Sequence, residues 1–248
     1  MSPRRLGQHF LNDRTILNRI VDALDPTPGE TVLEIGPGRG TLTEVLLGRG
    51  LKVFAIEKDR ALAGTLGGRA GLTVVAGDAL EVEWPAGAKV VGNIPYYITS
   101  PLIDKALTPP LPERVVFLVQ AEVADRIAAK PGSKIYGGLS VGVQAVCQVE
   151  KLVAVPRGAF RPPPKVDSAL IRLMPLSEPL VTPEEVAPFR RFVTACFSRR
   201  RKQLKNAVPG ITDAGLRALG LDPMTRPEQL PPGAFVRLYR HLGHIHNC

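Results

Sequence analysis

Four consecutive residues, Asn93-Ile94-Pro95-Tyr96, hold an amide, two turn carbonyls and an aromatic ring. Such a set can handle a planar amine. The Asn93 side-chain oxygen and a backbone carbonyl at Ile94 or Pro95 can each accept one amine hydrogen. Those bonds draw the nitrogen toward a pyramidal geometry and aim its lone pair at an electrophile. Tyr96 can stack on the ring that carries the amine. Phe160, in a proline-rich stretch, is a candidate for the opposite face. Reaction is then an in-line displacement governed by positioning. No strong general base is needed, because the proton becomes acidic once the nitrogen gains its new bond. The stretch Gly92–Tyr97 also reads as a polar turn whose aromatics cover a core edge, so the neighbouring sequence has to decide.

Pro95 has no N–H and holds φ near −65°, and it pushes Ile94 out of the α region. The apolar run before it, Ala88–Val91, therefore ends as a strand with the turn at its carboxyl end. Three other strand ends carry a second constellation. Glu34-Ile35-Gly36-Pro37-Gly38-Arg39-Gly40 follows one apolar run and opens a helix. Its glycines permit a sharp turn and a close ligand, and a helix start favours negative charge. Glu57 closes the next run, where a carboxylate can accept two hydrogen bonds from ribose hydroxyls. Asp78, in Gly77-Asp78-Ala79, adds an acid where an adenine amino group would lie. An adenine nucleoside cofactor fits all three positions. A dinucleotide site wants Gly-x-Gly-x-x-Gly, whereas here Pro37 sits between two glycines and Glu34 precedes them within the strand. That Glu-x-Gly-x-Gly form is the one S-adenosylmethionine-dependent methyltransferases carry. The alternative is a structural loop with solvated acids.

The elements that must hold these groups follow from pattern. Asn12 or Asp13 can cap a helix to about Leu24. Thr31–Ile35, Lys52–Ile56, Leu72–Ala76, Lys89–Val91 and Val115–Val119 are short, nearly continuous apolar runs. Helical patterns at Thr41–Leu47, Arg60–Leu66 and Ser100–Leu107 lie between them, and Ala121–Lys130 follows. Strands apolar on both faces and alternating with helices predict a buried, mostly parallel sheet. Leu139–Cys147 leans helical, and Leu152–Val155 with Ala169–Leu173 suggests an antiparallel edge pair. Between those two, Phe160–Ser168 is too proline-rich for regular structure. Beyond about Pro175 only helices are predicted: Pro183–Phe197, Arg200–Ala207, Thr212–Leu219 and Ala234–Leu242. The expected fold class is α/β, a Rossmann-like class I methyltransferase sheet with a small all-helical domain. The expected division is residues 1–176 and 177–248.

Formal net charge is +9 with pI near 9.8, and arginine outnumbers lysine about two to one. A polyanionic partner follows, nucleic acid before an anionic membrane. Residues 175–248 carry 11 Lys+Arg against 6 Asp+Glu, so the helical part is the more basic per residue. Its run Arg199-Arg200-Arg201-Lys202, with Lys205, suits RNA phosphates, or forms a solvated helix face. Cys147, Cys196 and Cys248 are odd in number and far apart, which reads as free thiols in a reducing compartment. The amino-terminal stretch has no apolar h-region, and no run approaches the roughly 20 residues of a membrane span. A soluble, cytoplasmic protein is expected. No metal site is expected; His241, His244 and His246 read as part of a terminal helix, and Trp84 as loop packing.

Several stretches now align in order with one family. They are Gly7-Gln8-His9-Phe10-Leu11, Glu34–Thr43, Glu57, Gly77–Ala79, Asn93–Tyr96, Pro131–Lys134 with Tyr136-Gly137, Phe160–Ser168 and Phe197–Leu204. The chain resembles the KsgA-type ribosomal RNA adenine dimethyltransferases over nearly its whole length. The resemblance implies S-adenosylmethionine as methyl donor. It also implies N6,N6-dimethylation of two adjacent adenosines in a hairpin loop near the 3′ end of small-subunit (16S) rRNA. The partner would be the immature small subunit, with the chain, as a monomer, serving as a late assembly factor. Cofactor contacts implied by matching motif are His9, Leu11, Gly36, Glu57, Asp78 and Asn93. His9 stands where relatives often have Asn, and Gly138 where they often have a larger or basic residue.

Three other functions remain open. Large-subunit rRNA adenine methyltransferases of the macrolide-resistance type share the Asn93 motif and the Phe160 loop. Phe197–Leu204 and Arg226–Leu230 resemble the small-subunit enzymes instead. An rRNA-binding assembly factor with secondary catalysis is the second. A nicotinamide-dependent oxidoreductase is the third, and it leaves the Asn93 motif without a role.

Overall fold

A computed structural model describes residues 9–199 and 202–246 of the chain. In chain order the first elements are β1 (Phe10–Leu11), α1 (Arg14–Leu24), β2 (Thr31–Ile35), α2 (Thr41–Gly48), β3 (Lys52–Glu57), α3 (Arg60–Leu66) and β4 (Leu72–Ala76). There follow β5 (Lys89–Asn93), a 3₁₀ turn Tyr96–Ile98, α4 (Thr99–Ala106), β6 (Arg114–Gln120), α5 (Ala121–Ile127) and α6 (Gly138–Gln144). The remainder is β7 (Cys147–Val155), β8 (Phe160–Arg161), β9 (Ser168–Pro175), α7 (Val186–Phe197), α8 (Asp213–Ala218) and α9 (Pro232–His246).

Seven strands form one sheet in the order β4-β3-β2-β5-β6-β9-β7. The five from β4 to β6 run parallel, and β9 lies antiparallel on β6. β2, β5 and β6 bury nearly every residue, because helices on both faces leave a central strand no polar side. β4, at the edge, is only half-buried. All parallel strands end at one rim, which is where open sheets of this kind bind ligands. Asp13 caps α1 by accepting from Thr15 N and Ile16 N, and Asp59 caps α3 through Ala61 N and Leu62 N.

The edge pair β9-β7 is present, with β7 starting earlier than predicted, at Cys147. Two expectations are corrected. The proline-rich stretch is not wholly irregular: β8 pairs antiparallel with β1, Leu11 opposite Phe160. The predicted helix Arg200–Ala207 is absent among its described residues, where only a 3₁₀ turn forms at Leu204–Asn206. Gln203 adopts ψ 149°, an extended conformation that no α-helix accommodates.

The chain divides into two compact units, residues 1–124 with 150–174, and 125–149 with 175–248. The predicted boundary at 176/177 thus lies close to the observed re-entry, but residues 125–149 belong with the helical part. Their apolar face explains it. Val141 and Val143 of α6 are fully buried in a helical layer with α7 and α9. Tyr136 is also fully buried there, and its hydroxyl donates to Leu230 O at 2.9 Å. Phe189 meets Tyr239 edge-on at 5.7 Å within the same core.

Candidate functional site

The rim of the first unit carries one cleft. It is lined by the glycine turn after β2, the ends of β3, β4 and β5, the β1 arm and Phe160. Each wall can be built from its residues.

The turn after β2 needs its glycines. Gly36, Gly38 and Gly40 have φ of +66°, +57° and +83°, a region that costs any residue with a Cβ. Gly36 N donates to Ile56 O at 2.9 Å, which ties the turn to β3. A Cβ built on Gly36 meets nothing within 4 Å and would enter the cleft, whereas one on Gly38 would stand 2.9 Å from Phe10 Cε1. The turn is therefore an open cradle on one side and tightly packed on the other. Arg39 stacks on the same Phe10 ring at 4.5 Å.

Glu57 is 4% exposed. Its Oε2 accepts from Gly38 N and its Oε1 from Asp59 N, both at 2.9 Å. A carboxylate offers about four lone-pair sites, so the two oxygens can still receive ligand hydroxyls. Beside it Glu34 is 1% exposed, and Thr43 Oγ1 donates to its Oε2 at 2.6 Å. Burial pushes the Glu34 carboxyl up to about 7; the Thr43 bond opposes this and the charge of Glu57 adds to it. Asp78 accepts from Lys58 Nζ at 2.7 Å and from Leu80 N at 3.0 Å. The bond from Lys58 holds the Asp78 carboxyl below its ordinary range.

At the end of β5 the turn is fixed by backbone bonds. Ile94 N donates to Leu118 O at 3.1 Å, and Ile98 N to Pro95 O at 3.1 Å. The Pro95 carbonyl also accepts from Thr99 Oγ1 at 3.4 Å. Of the two carbonyls considered from sequence, Pro95 is thus engaged, and Ile94 accepts nothing among the described residues. Asn93 Nδ2 donates to His9 O at 2.8 Å. A carbonyl can only accept, so this contact settles the amide orientation and leaves Asn93 Oδ1 for an outside donor. His9 in turn bonds Pro162 O through Nδ1 at 2.8 Å, and its ring lies 6.1 Å from that of Tyr96. Tyr96 is half-buried; its hydroxyl pairs with Ser168 Oγ at 2.8 Å, and burial raises its phenol.

All ten residues expected at the cleft, His9, Leu11, Gly36, Glu57, Asp78, Asn93, Ile94, Pro95, Tyr96 and Phe160, line it. Phe160 does so while 1% exposed, in the same buried cluster as Leu11. Three participants carried no role in the sequence reading: Thr43, Lys58 and Tyr97. Lys58 and Tyr97 directly follow residues that did, which was the available signal. The basic run lies in the second unit. Arg199 and Lys202 are exposed, Arg200 and Arg201 lie outside the described residues, and Lys205 is paired to Asp213 at 2.8 Å. Trp84 packs in its loop, bonded to Ala79 O at 2.9 Å. Cys147 and Cys196 are buried, each thiol pushed up to about 12; Cys248 lies outside the described residues. Among the described residues no cluster of His, Cys, Asp and Glu could hold a metal ion, and no helix is long and apolar enough to cross a membrane.

The parallel sheet with its glycine cradle and acids at successive strand ends defines a class I S-adenosylmethionine-dependent methyltransferase. A family model described as ribosomal RNA adenine dimethylase matches residues 2–242. The chain belongs to that family. A curated relative from Xanthomonas campestris pv. campestris (strain B100), a ribosomal RNA small subunit methyltransferase A, is 44% identical over 95% of this chain and 94% of its own. A protein of the same name from Pseudomonas aeruginosa is 42% identical over 98% of this chain and 95% of its own. Among solved structures, a dimethyladenosine transferase from Plasmodium falciparum superposes with TM-score 0.82 and 29% identity, covering 96% of this chain and 98% of that one. The 23S rRNA methyltransferase ErmE reaches 0.71 at 31% identity, over 94% and 99%.

Proposed function

We propose that this chain transfers methyl groups to N6 of two adjacent adenosines in the 3′-terminal hairpin loop of 16S rRNA, giving N6,N6-dimethyladenosines. Its substrate is the immature small ribosomal subunit, in the cytoplasm, and it acts as a monomer. The observation that carries the chemistry is the Asn93 amide, whose orientation leaves Oδ1 as an open acceptor, with Ile94 next to it in the cleft lining. An adenine N6 amine offers two hydrogens, one for Oδ1 and one for the Ile94 carbonyl. Small-subunit relatives at 44% identity favour the target over the large-subunit alternative.

The open Gly36 face fits a nucleoside cofactor, with Glu57 toward ribose hydroxyls and Asp78 toward an adenine amine. His9 and Leu11 close the cleft from the β1 arm, and Asn93 borders both ligands. S-adenosylmethionine supplies an activated, electrophilic methyl group there. The chain's own part is positioning. Asn93 Oδ1 and the Ile94 carbonyl hold the amine hydrogens, and Tyr96 stacks on the base. The Tyr96 ring is itself fixed by Ser168. Phe160, paired with Leu11 in the cleft wall, covers the opposite face of the base. A base within a duplex cannot reach such a cleft, so the target is looped or flipped out.

The test is methylation of immature small subunits and of large-subunit RNA with labelled cofactor, followed by mapping of the products. Label in two adjacent 16S adenosines is expected, and label confined to large-subunit RNA would reject the assignment. Subunit binding without label in either RNA would support a pure assembly factor.

A further inference from the structure

Tyr97 stands on the same 3₁₀ turn as Tyr96, yet the two rings have different surroundings. A 3₁₀ helix has three residues per turn, so neighbouring side chains diverge by about 120°. Tyr96 goes to the wall, where Ser168 and His9 hold it. Tyr97 is 57% exposed, the second most exposed large apolar side chain among the described residues. It lines the cleft together with Lys58, whose side chain stays 51% exposed although its ammonium meets Asp78. A ring and a cation therefore border the opening through which a flipped base would enter. A lone exposed aromatic is ordinary on a surface; one adjoining the base-holding turn is placed for a use.

We infer that Tyr97 is a positioning residue that stacks on the nucleotide next to the adenosine held at Asn93. The inference rests on the proposed methyl transfer. A base drawn into the cleft leaves its neighbour unstacked one phosphodiester away, and an exposed ring at the opening replaces the lost stacking partner. Base–aromatic stacking is sequence-tolerant, which suits a site that must process two adjacent adenosines, each in turn the neighbour of the other. The nearby Lys58 ammonium adds attraction for the connecting phosphate.

The test compares wild type, Tyr97→Ala and Tyr97→Phe in steady-state methylation of immature small subunits, with cofactor affinity measured by calorimetry. Tyr97→Ala should raise KM for the subunit about tenfold or more, with kcat within about twofold. Tyr97→Phe should restore the wild-type KM, and cofactor affinity should be equal in all three. An unchanged KM in Tyr97→Ala, a defect confined to kcat, or a Tyr97→Phe variant as poor as alanine would overturn the inference. These outcomes are read only against an active wild type. A wild type that leaves small-subunit adenosines unmethylated would instead reject the proposed function itself.

Discussion

Glu34 keeps its proton in the folded chain at pH values where an exposed carboxyl has lost it. Its folded value is about 7 against an ordinary 4.5. Between those values the folded state binds more proton than the unfolded state, so stability falls as pH rises through that window. The full effect is on the order of 3 kcal/mol. Glu34→Gln keeps an acceptor for Thr43 and removes the titration. It is expected to melt above wild type at about pH 8 and close to it at about pH 5; parallel melting curves would refute the assignment. Asn93→Ala is expected to lower single-turnover methylation by roughly 10²–10³-fold while cofactor affinity stays within a few-fold. Near-normal rates would sink the acceptor role. Sequence showed which residues meet at this site but not which atoms were already used. The Pro95 carbonyl, spent on Ile98 and Thr99, looked equivalent to that of Ile94. How deeply Phe160 sits, at 1% exposed on the cleft wall, was not legible either.

Gly92 shows what β5 demands. A Cβ there would stand 2.7 Å from Ile35 O and 2.8 Å from Ile94 Cδ1. Gly92→Ala is expected to cost about 1–3 kcal/mol, read as a lower denaturant midpoint at unchanged slope. An unaltered midpoint would mean that the strands can part without penalty. The parallel strands were legible because burial on both faces leaves an uninterrupted apolar run. β1 and β8 were not, because two residues hold no period. Their pairing depends on a partner about 150 residues away. The same applies to residues 125–149: their helix was legible, whereas the layer it joins is a long-range fact.

Net charge at the scale of the molecule points to RNA, and the second unit refines which cations are available. Lys205 is already neutralised by Asp213, whereas Arg199 and Lys202 are exposed. Replacing Arg199 and Lys202 together by Gln is expected to weaken RNA binding and to reduce its salt slope by roughly one per lost phosphate contact. Lys205→Gln should leave the slope nearly unchanged. Equal losses in both variants would show that the run acts only through bulk charge. Sequence supplied the run but could not separate its members, since an ion pair eight residues apart without a shared helix has no sequence signature.

The orientation of one amide also decides which damaged substrates the cleft would refuse. Deamination turns adenine into hypoxanthine and puts a carbonyl oxygen where the amine was. Against Asn93 Oδ1 and the Ile94 carbonyl, lone pairs would then face lone pairs. Inosine also has no amine to methylate, so a subunit with inosine in place of either adenosine should take up label only at the remaining one, measurable on subunits reconstituted with substituted RNA. Binding of a subunit with inosine at both positions as tight as that of the adenosine form would show that those oxygens do not read the base. Otherwise the turn at Asn93 also inspects its nucleobase, and a subunit with a chemically aged loop would leave assembly unmarked.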